Sequence, residues 1–170
     1  MRSLLQLFAC CVAVVLTGCA GYHLGPVGGV ASGERSVQVT PFANQTLEPR
    51  LTDAVTTELR RRFQQDGTYR LSTHDDGDII LTGVITKYNR TEVSLNPGDL
   101  LTVRDYRVYI TAQVTARSRS SGKVLLERPF TGHTEVRVGN DLASAERQAL
   151  PLLAADLAKK VVEQLAEGSW

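Results

Sequence analysis

From Leu101 to Arg117 the chain alternates between apolar and polar residues with almost no lapse. Tyr106, Val108, Ile110, Ala112, Val114 and Ala116 fall on one parity; Asp105, Arg107, Tyr109, Thr111, Gln113, Thr115 and Arg117 fall on the other. Successive side chains of a strand point to opposite faces, so this period of two predicts one face in the core and one wet or facing a polar partner. A slip of one residue would put the whole apolar set in water, so the register is pinned. After it, "RSSGK" reads as a hairpin turn and "VLLERPFTGHTEVRV" as the returning strand. Pro129 in that strand has no N–H for a ladder and predicts an edge or irregular position. Before it, "DIILTGVITKYNRTEVSL" reads as a second long strand, rich in Ile, Val and Thr, with Gly83 predicting a bulge. "NPGD" (Asn96 to Asp99) turns the chain between the two.

The remaining elements follow from the other period. "SVQVTPF" (Ser36 to Phe42) reads as a strand, and "ANQT" turns the chain. Thr46 is the expected cap of a helix whose first turn holds Pro49. Leu51, Val55, Leu59 and Phe63, with Ala54 beside them, make its apolar stripe, which ends near Gly67. Arg60, Arg61 and Arg62 on its last turns suit either a solvated face near the negative end of the helix or a binding patch. "YRL" (Tyr69 to Leu71) is a short extended piece, and "THDDGD" a polar turn. Asn140 or Asp141 caps a second helix with Leu142, Ala149, Leu150, Leu153, Leu157, Val161 and Leu165 on its core stripe. Pro151 inside it cannot bond back to the Arg147 carbonyl, which predicts a kink or a broken start. The order β-α-β-β-β-α implies an α+β fold. The expected form is two-layered: a mainly antiparallel sheet of about four strands with two helices on one face. The crossing by the first helix can leave its flanking strands parallel.

The amino end constrains location. One charge at Arg2 precedes an almost wholly apolar run from Leu4 to Leu16, the length of a secretory signal and short for a membrane span. It ends in Leu16-Thr17-Gly18-Cys19, the pattern of a bacterial lipoprotein signal. On that reading residues 1–18 are removed and Cys19 is acylated, with several acyl chains giving a firm membrane anchor. An ordinary signal cut nearby is the alternative. Residues 19–35, with their glycines and Pro26, form a tether in which Tyr22 and Leu24 stand out, and residues 36–170 form one domain. Ala20, not aspartate, follows the anchor, which favours the outer membrane of a Gram-negative cell. Cys10 and Cys11 are lost with the signal and Cys19 is blocked, so no thiol remains for a disulfide, a metal or catalysis. The net charge is +1, and Arg2 leaves with the signal. A non-specific nucleic-acid binder is strongly basic, so that class is set aside.

No catalytic constellation, cofactor motif or metal-ligand spacing is present in the sequence. His23, His74 and His133 are isolated, and the spacing of His74, Asp75, Asp76 and Asp78 fits neither an EF-hand nor a zinc site. An enzyme is therefore not expected, and neither is a metal or a cofactor. The long strand pair does carry Lys87, Arg90, Arg104 and Arg107 on either side of its turn. Such cations either solvate strand edges and discourage aggregation or gather an anionic ligand.

"GCAGYHLG", "VTPFANQTLEPRLTDAVTTELRRRF", "GDIILTGVITKYNRTEVS", "DYRVYITAQVTARSRSSGKVLLERPFTG" and "ALPLLAADLAKKVVEQL" follow one another in an order and spacing that resembles the LPS-assembly lipoprotein family, LptE. The resemblance covers nearly the whole chain, and its most specific part is Pro41-Phe42-x-Asn44-x-Thr46 before a helix. It implies helices on a sheet and a plug inside the β-barrel of a large partner, LptD, which it helps assemble and receive lipopolysaccharide. It makes lipopolysaccharide a candidate ligand of Lys87, Arg90, Arg104 and Arg107. Similar openings occur in lipoproteins that activate a peptidoglycan synthase or serve a secretion pore, which is the alternative role.

Overall fold

The computed structural model describes residues 33–96, 98–138 and 141–168, with the backbone alone at 96 and 99–102. The signal, Cys19 and the tether up to residue 32 lie outside the described residues. Two helices and six strands follow in the order β1 (Ser36–Val39), β2 (Ala43–Asn44), α1 (Leu51–Asp66), β3 (Arg70–Ser72), β4 (Ile79–Asn96), β5 (Asp99–Ser118), β6 (Val124–Arg137) and α2 (Leu142–Ala166). They form one sheet in the order β3-β1-β4-β5-β6, with β2 also against β4.

The expected sheet of about four mainly antiparallel strands is corrected to six in a mixed sheet. The β4–β5 and β5–β6 pairs are antiparallel, whereas β1 runs parallel to both β3 and β4, and β2 parallel to β4. The chain returns to the sheet in its original direction twice, through the α1 crossover before β3 and through residues 73–78 between β3 and β4. The "ANQT" stretch read as a turn contributes the two residues of β2, which add to β4 beyond the end of β1.

Both helices lie on one face. Val108, Ile110, Ala112, Val114 and Ala116 are buried beneath them, as the alternation requires, together with Leu81 and Ile85 of β4. α1 supplies Leu51, Val55, Leu59 and Phe63; α2 supplies Leu150, Leu153, Leu157, Val161 and Leu165. Each such side chain contributes roughly 1.5–3 kcal/mol by leaving water. Leu142, expected on the same stripe, is only partly buried at the first turn. Tyr69 closes the α1–α2 junction: its ring meets Phe63 edge-on at 6.3 Å and its hydroxyl donates to the Leu165 carbonyl at 2.9 Å. Burial pushes that phenol above its ordinary pKa.

Local expectations are corrected in three places. Thr46 does not cap α1. Its N–H and hydroxyl donate to Asn44 Oδ1, its own oxygen accepts from the Glu48 N–H at 3.3 Å, and the helix begins at Leu51 with Arg50 as N-cap. Pro49 thus lies just outside the helix. Gly83 is not a bulge: a Cβ there would lie inside the contact envelope of the Phe42 ring. Glycine is needed for the close approach, and the extra residue is Thr86, between the pairs Ile85–Ala112 and Lys87–Thr111. Pro151 neither breaks α2 nor displaces its start; the helix continues through it, with Pro151 on the exposed side. α1 ends as expected at Gly67, whose φ of 73° is the left-handed conformation glycine adopts at no steric cost.

Candidate functional site

The sheet face away from the helices is uncovered among the described residues. Across β4, β5 and β6 it presents successive rows: Thr82, Thr115 and Glu127; Val84, Gln113 and Pro129; Lys87, Thr111 and Thr131; Asn89, Tyr109 and His133. The threonines bond within the sheet. Thr82 and Thr86 hydroxyls donate to the Thr115 and Thr111 carbonyls at 3.4 and 3.2 Å, and the Thr111 and Thr131 hydroxyls meet at 3.1 Å. Tyr109 and His133 add a ring pair with centroids 6.1 Å apart. His133 lies inside β6, on the open face. The result is a mainly polar surface built around threonines, with Val84 and Pro129 as its apolar members.

The four candidate cations do not gather on it. Register places Lys87 opposite Thr111 and Arg107 opposite Thr91 on the open face. Four residues separate these rows, about 13 Å along the strands. Arg90 lies opposite buried Val108, hence on the helix face, where its Nη1 donates to Glu146 of α2 at 3.0 Å. Its guanidinium carbon lies 5.9 Å from the centroid of the Tyr106 ring. Lys87 and Arg90 are three apart and so fall on opposite faces of the strand, and the residue inserted at Thr86 decides that Arg90 is the one turned to the helix side.

Arg104 and Arg107 are held in ion pairs at the base of the β4–β5 hairpin. Asp105 is the centre of one cluster, accepting from Ser94 Oγ at 2.5 Å, Arg104 Nε at 2.8 Å and Arg137 Nε at 2.9 Å. Those bonds, Ser94 first and the two guanidinium groups next, hold its carboxyl far below the usual carboxylate range. Arg107 pairs with Glu135 across to β6, which raises its already high pKa. Lys87 is exposed, and among the described residues it makes no ion pair. Arg137 was not read as part of this cluster. Counting back along β6 from the "RSSGK" turn puts it opposite Asp105, so its signal lay in the hairpin register.

Several other charged side chains serve the fold. Arg60, Arg61 and Arg62 do not form a free patch: they bind the Val39 carbonyl at 3.1 Å, Glu58, and Glu163 of α2 at 3.5 Å. Asp78 of the "THDDGD" stretch accepts from the Ser36 hydroxyl at 2.7 Å and the Ser36 N–H at 2.8 Å, which lowers its pKa and fastens β1 to the start of β4. Among the described residues no group of three His, Cys, Asp or Glu side chains is placed to hold a metal ion. None of their helices is long and apolar enough to cross a membrane.

The family model described as lipopolysaccharide-assembly, LptE, matches residues 34–165. No curated protein matches the chain. Among solved structures, a hypothetical protein of Chlamydia trachomatis is similar at a TM-score of 0.58 and 12% identity, over 81% of this chain and 98% of that one. A protein of Xanthomonas campestris is similar at 0.54 and 14%, over 84% and 93%. A PelC dodecamer subunit from Paraburkholderia phytofirmans is similar at 0.52 and 18%, over 84% and 95%. At these identities the likeness is one of fold.

Proposed function

Because the chain belongs to the LptE family of lipopolysaccharide-assembly proteins, we propose that it is the plug and assembly partner of an LptD-type outer-membrane β-barrel, forming a heterodimer with it. The family is one of non-enzymatic envelope lipoproteins, so the chain is a lipopolysaccharide-assembly lipoprotein and not an enzyme. Its anchor is the acylated Cys19, and the outer membrane is its place of work.

The observation that carries the barrel reading is the two-faced sheet. One face is sealed by α1 and α2, while the other is broad, polar and uncovered among the described residues. The lumen of an outer-membrane barrel is polar, so a surface of threonine, glutamine and charged side chains can lie against it, and the unpaired Lys87 on that face then requires an anionic partner there. Lipopolysaccharide carries phosphates, for which Lys87 offers a free ammonium and Arg90, Arg104 and Arg107 offer guanidinium nitrogens beyond those held by their carboxylates.

The test is a mild-detergent pull-down of the tagged protein from outer membranes, with mass spectrometry of the eluate and intact mass of the bait. A stoichiometric large β-barrel and a bait carrying acyl groups on a chain beginning at Cys19 are expected. A synthase, a secretion component or no partner overturns the barrel assignment, and an unacylated bait overturns the anchor.

A further inference from the structure

The two long edges of the sheet are finished differently. On β6, Pro129 lacks an N–H. Asp156 and Lys160 of α2 take the His133 N–H and the Thr131 carbonyl, at 2.9 and 2.8 Å. Burial alone would raise the Asp156 carboxyl, but the Lys160 ammonium and the His133 N–H more than offset it. An edge occupied in this way cannot accept another strand. On β4, the Leu81 and Ile85 carbonyls accept from the Thr40 and Gln45 N–H groups at 3.1 and 2.9 Å. Beyond Ile85, among the described residues, no strand pairs with that side. The extra residue at Thr86 hands the outward-pointing positions to Tyr88, Arg90 and Glu92, which lie opposite Ile110, Val108 and Tyr106 of β5. Their N–H and C=O groups form a template for another strand.

The residues on that template are self-complementary. Laid antiparallel on a copy of itself about Thr91, the stretch sets Arg90 opposite Glu92 of the copy and Glu92 opposite Arg90. All four positions point outward, so both are hydrogen-bonded pairs. Glu92 is exposed and makes no ion pair among the described residues. Arg90 gives one nitrogen to Glu146 and keeps further donors on its fork. Shifting the axis to Arg90 or to Glu92 sets like charges face to face, which destabilises a sheet. Val93 and Leu95 beside the edge are 46% and 41% exposed, apolar area that a second chain would partly cover.

We propose that the outer edge of β4, at Asn89 to Val93, pairs antiparallel with the same edge of a second copy about a two-fold axis through Thr91. The β4–β5 register shifts again between Glu92 and Ser94, which ends the regular stretch and keeps the interface small. The dimer is therefore weak and concentration-dependent. It is a property of the chain without its barrel and does not depend on that assignment.

Cysteine cross-linking of the purified full-length protein in detergent, without barrel partner, tests the pairing and its register. Across the axis Thr91 faces its own copy in a non-hydrogen-bonded pair, with Cα atoms about 4.5 Å apart, within disulfide reach. Thr91→Cys should give a disulfide-linked dimer on mild oxidation. Asn89→Cys should not, because its two copies lie about 13 Å apart along the strands. The unsubstituted protein, run alongside, accounts for any linkage that does not pass through the introduced cysteine. Adding Glu92→Arg to Thr91→Cys should lower the dimer yield at least tenfold. A monomeric Thr91→Cys protein, equal linkage through Asn89→Cys, or no loss from Glu92→Arg in a folded variant overturns the proposal. If Glu92→Arg fails to fold, the comparison of the two cysteine variants decides it.

Discussion

Asp105 shows how one residue on the polar face organises its neighbours. The alternation put it on the wet face, where a lone carboxylate is unremarkable; the hairpin register then delivers Arg137 beside it, and Arg104 and Ser94 close the cluster. Its carboxyl titrates well below the usual range in the folded state, while in the unfolded chain it titrates near 3.9. A group with a depressed folded pKa stabilises fully above the unfolded value and loses that contribution as pH falls through the folded one. Asp105→Asn should therefore be less stable than the parent at pH 7, and the gap should narrow below about pH 4. Urea melts of both proteins at pH 7, 5, 4 and 3 check this; parallel curves would mean that the cluster holds nothing together. The grouping of cations was not legible at this scale, because composition gives no hint that Thr86 is inserted and turns Arg90 toward Glu146.

At the scale of elements the periods decided most of the fold, and the misses have local causes. The long strands and both helices are where alternation and the four-residue stripe put them, since each has a face to bury. β2 is too short for any period to declare it; it exists because β4 has an edge left free past β1. Thr46 has the chemistry of a cap, but Asn44 two residues earlier offers a tighter turn and takes it. At the second helix Asp141 is the cap: it accepts from the Ser144 hydroxyl at 2.6 Å and from the Ser144 and Ala143 N–H groups at 3.0 and 3.1 Å, which lowers its pKa. Asp141→Ala should cost about 1 kcal/mol, the ordinary worth of an N-cap, read as a shift of the chemical-denaturation midpoint without a change of slope. Asp141→Ser should recover most of it, which a purely electrostatic effect of the carboxylate would not allow.

At the scale of the whole molecule the two faces of one sheet differ: one carries both helices, and the other is left uncovered among the described residues. Gly132 lets α2 lie directly on β6: a Cβ there would come within 2.8 Å of the Leu153 carbonyl oxygen and 2.9 Å of the Leu157 nitrogen, and only glycine permits that approach. The helix face is thus closed to any visitor, and whatever partner the protein meets must use the other face, an edge or the helix backs. The sequence announced the two faces in the parity of residues 105–117, but not their areas, which depend on β1, β2 and β3 widening the sheet. This division makes opposite demands on neighbouring residues of β5. Ile110→Ala empties a fully buried site and should destabilise the isolated domain by roughly 2–5 kcal/mol. Gln113→Arg, three residues on and on the open face opposite Val84 and Pro129, should change stability by less than about 0.5 kcal/mol. In the barrel complex the order reverses if the open face is the one that meets the lumen. Gln113→Arg would bring an unpaired charge and a longer side chain into the contact and should sharply reduce recovery of the barrel in the pull-down. A folded Ile110→Ala protein should still bring the barrel with it. Full recovery with Gln113→Arg would move the contact to the helix backs or the hairpin and leave the polar face to water.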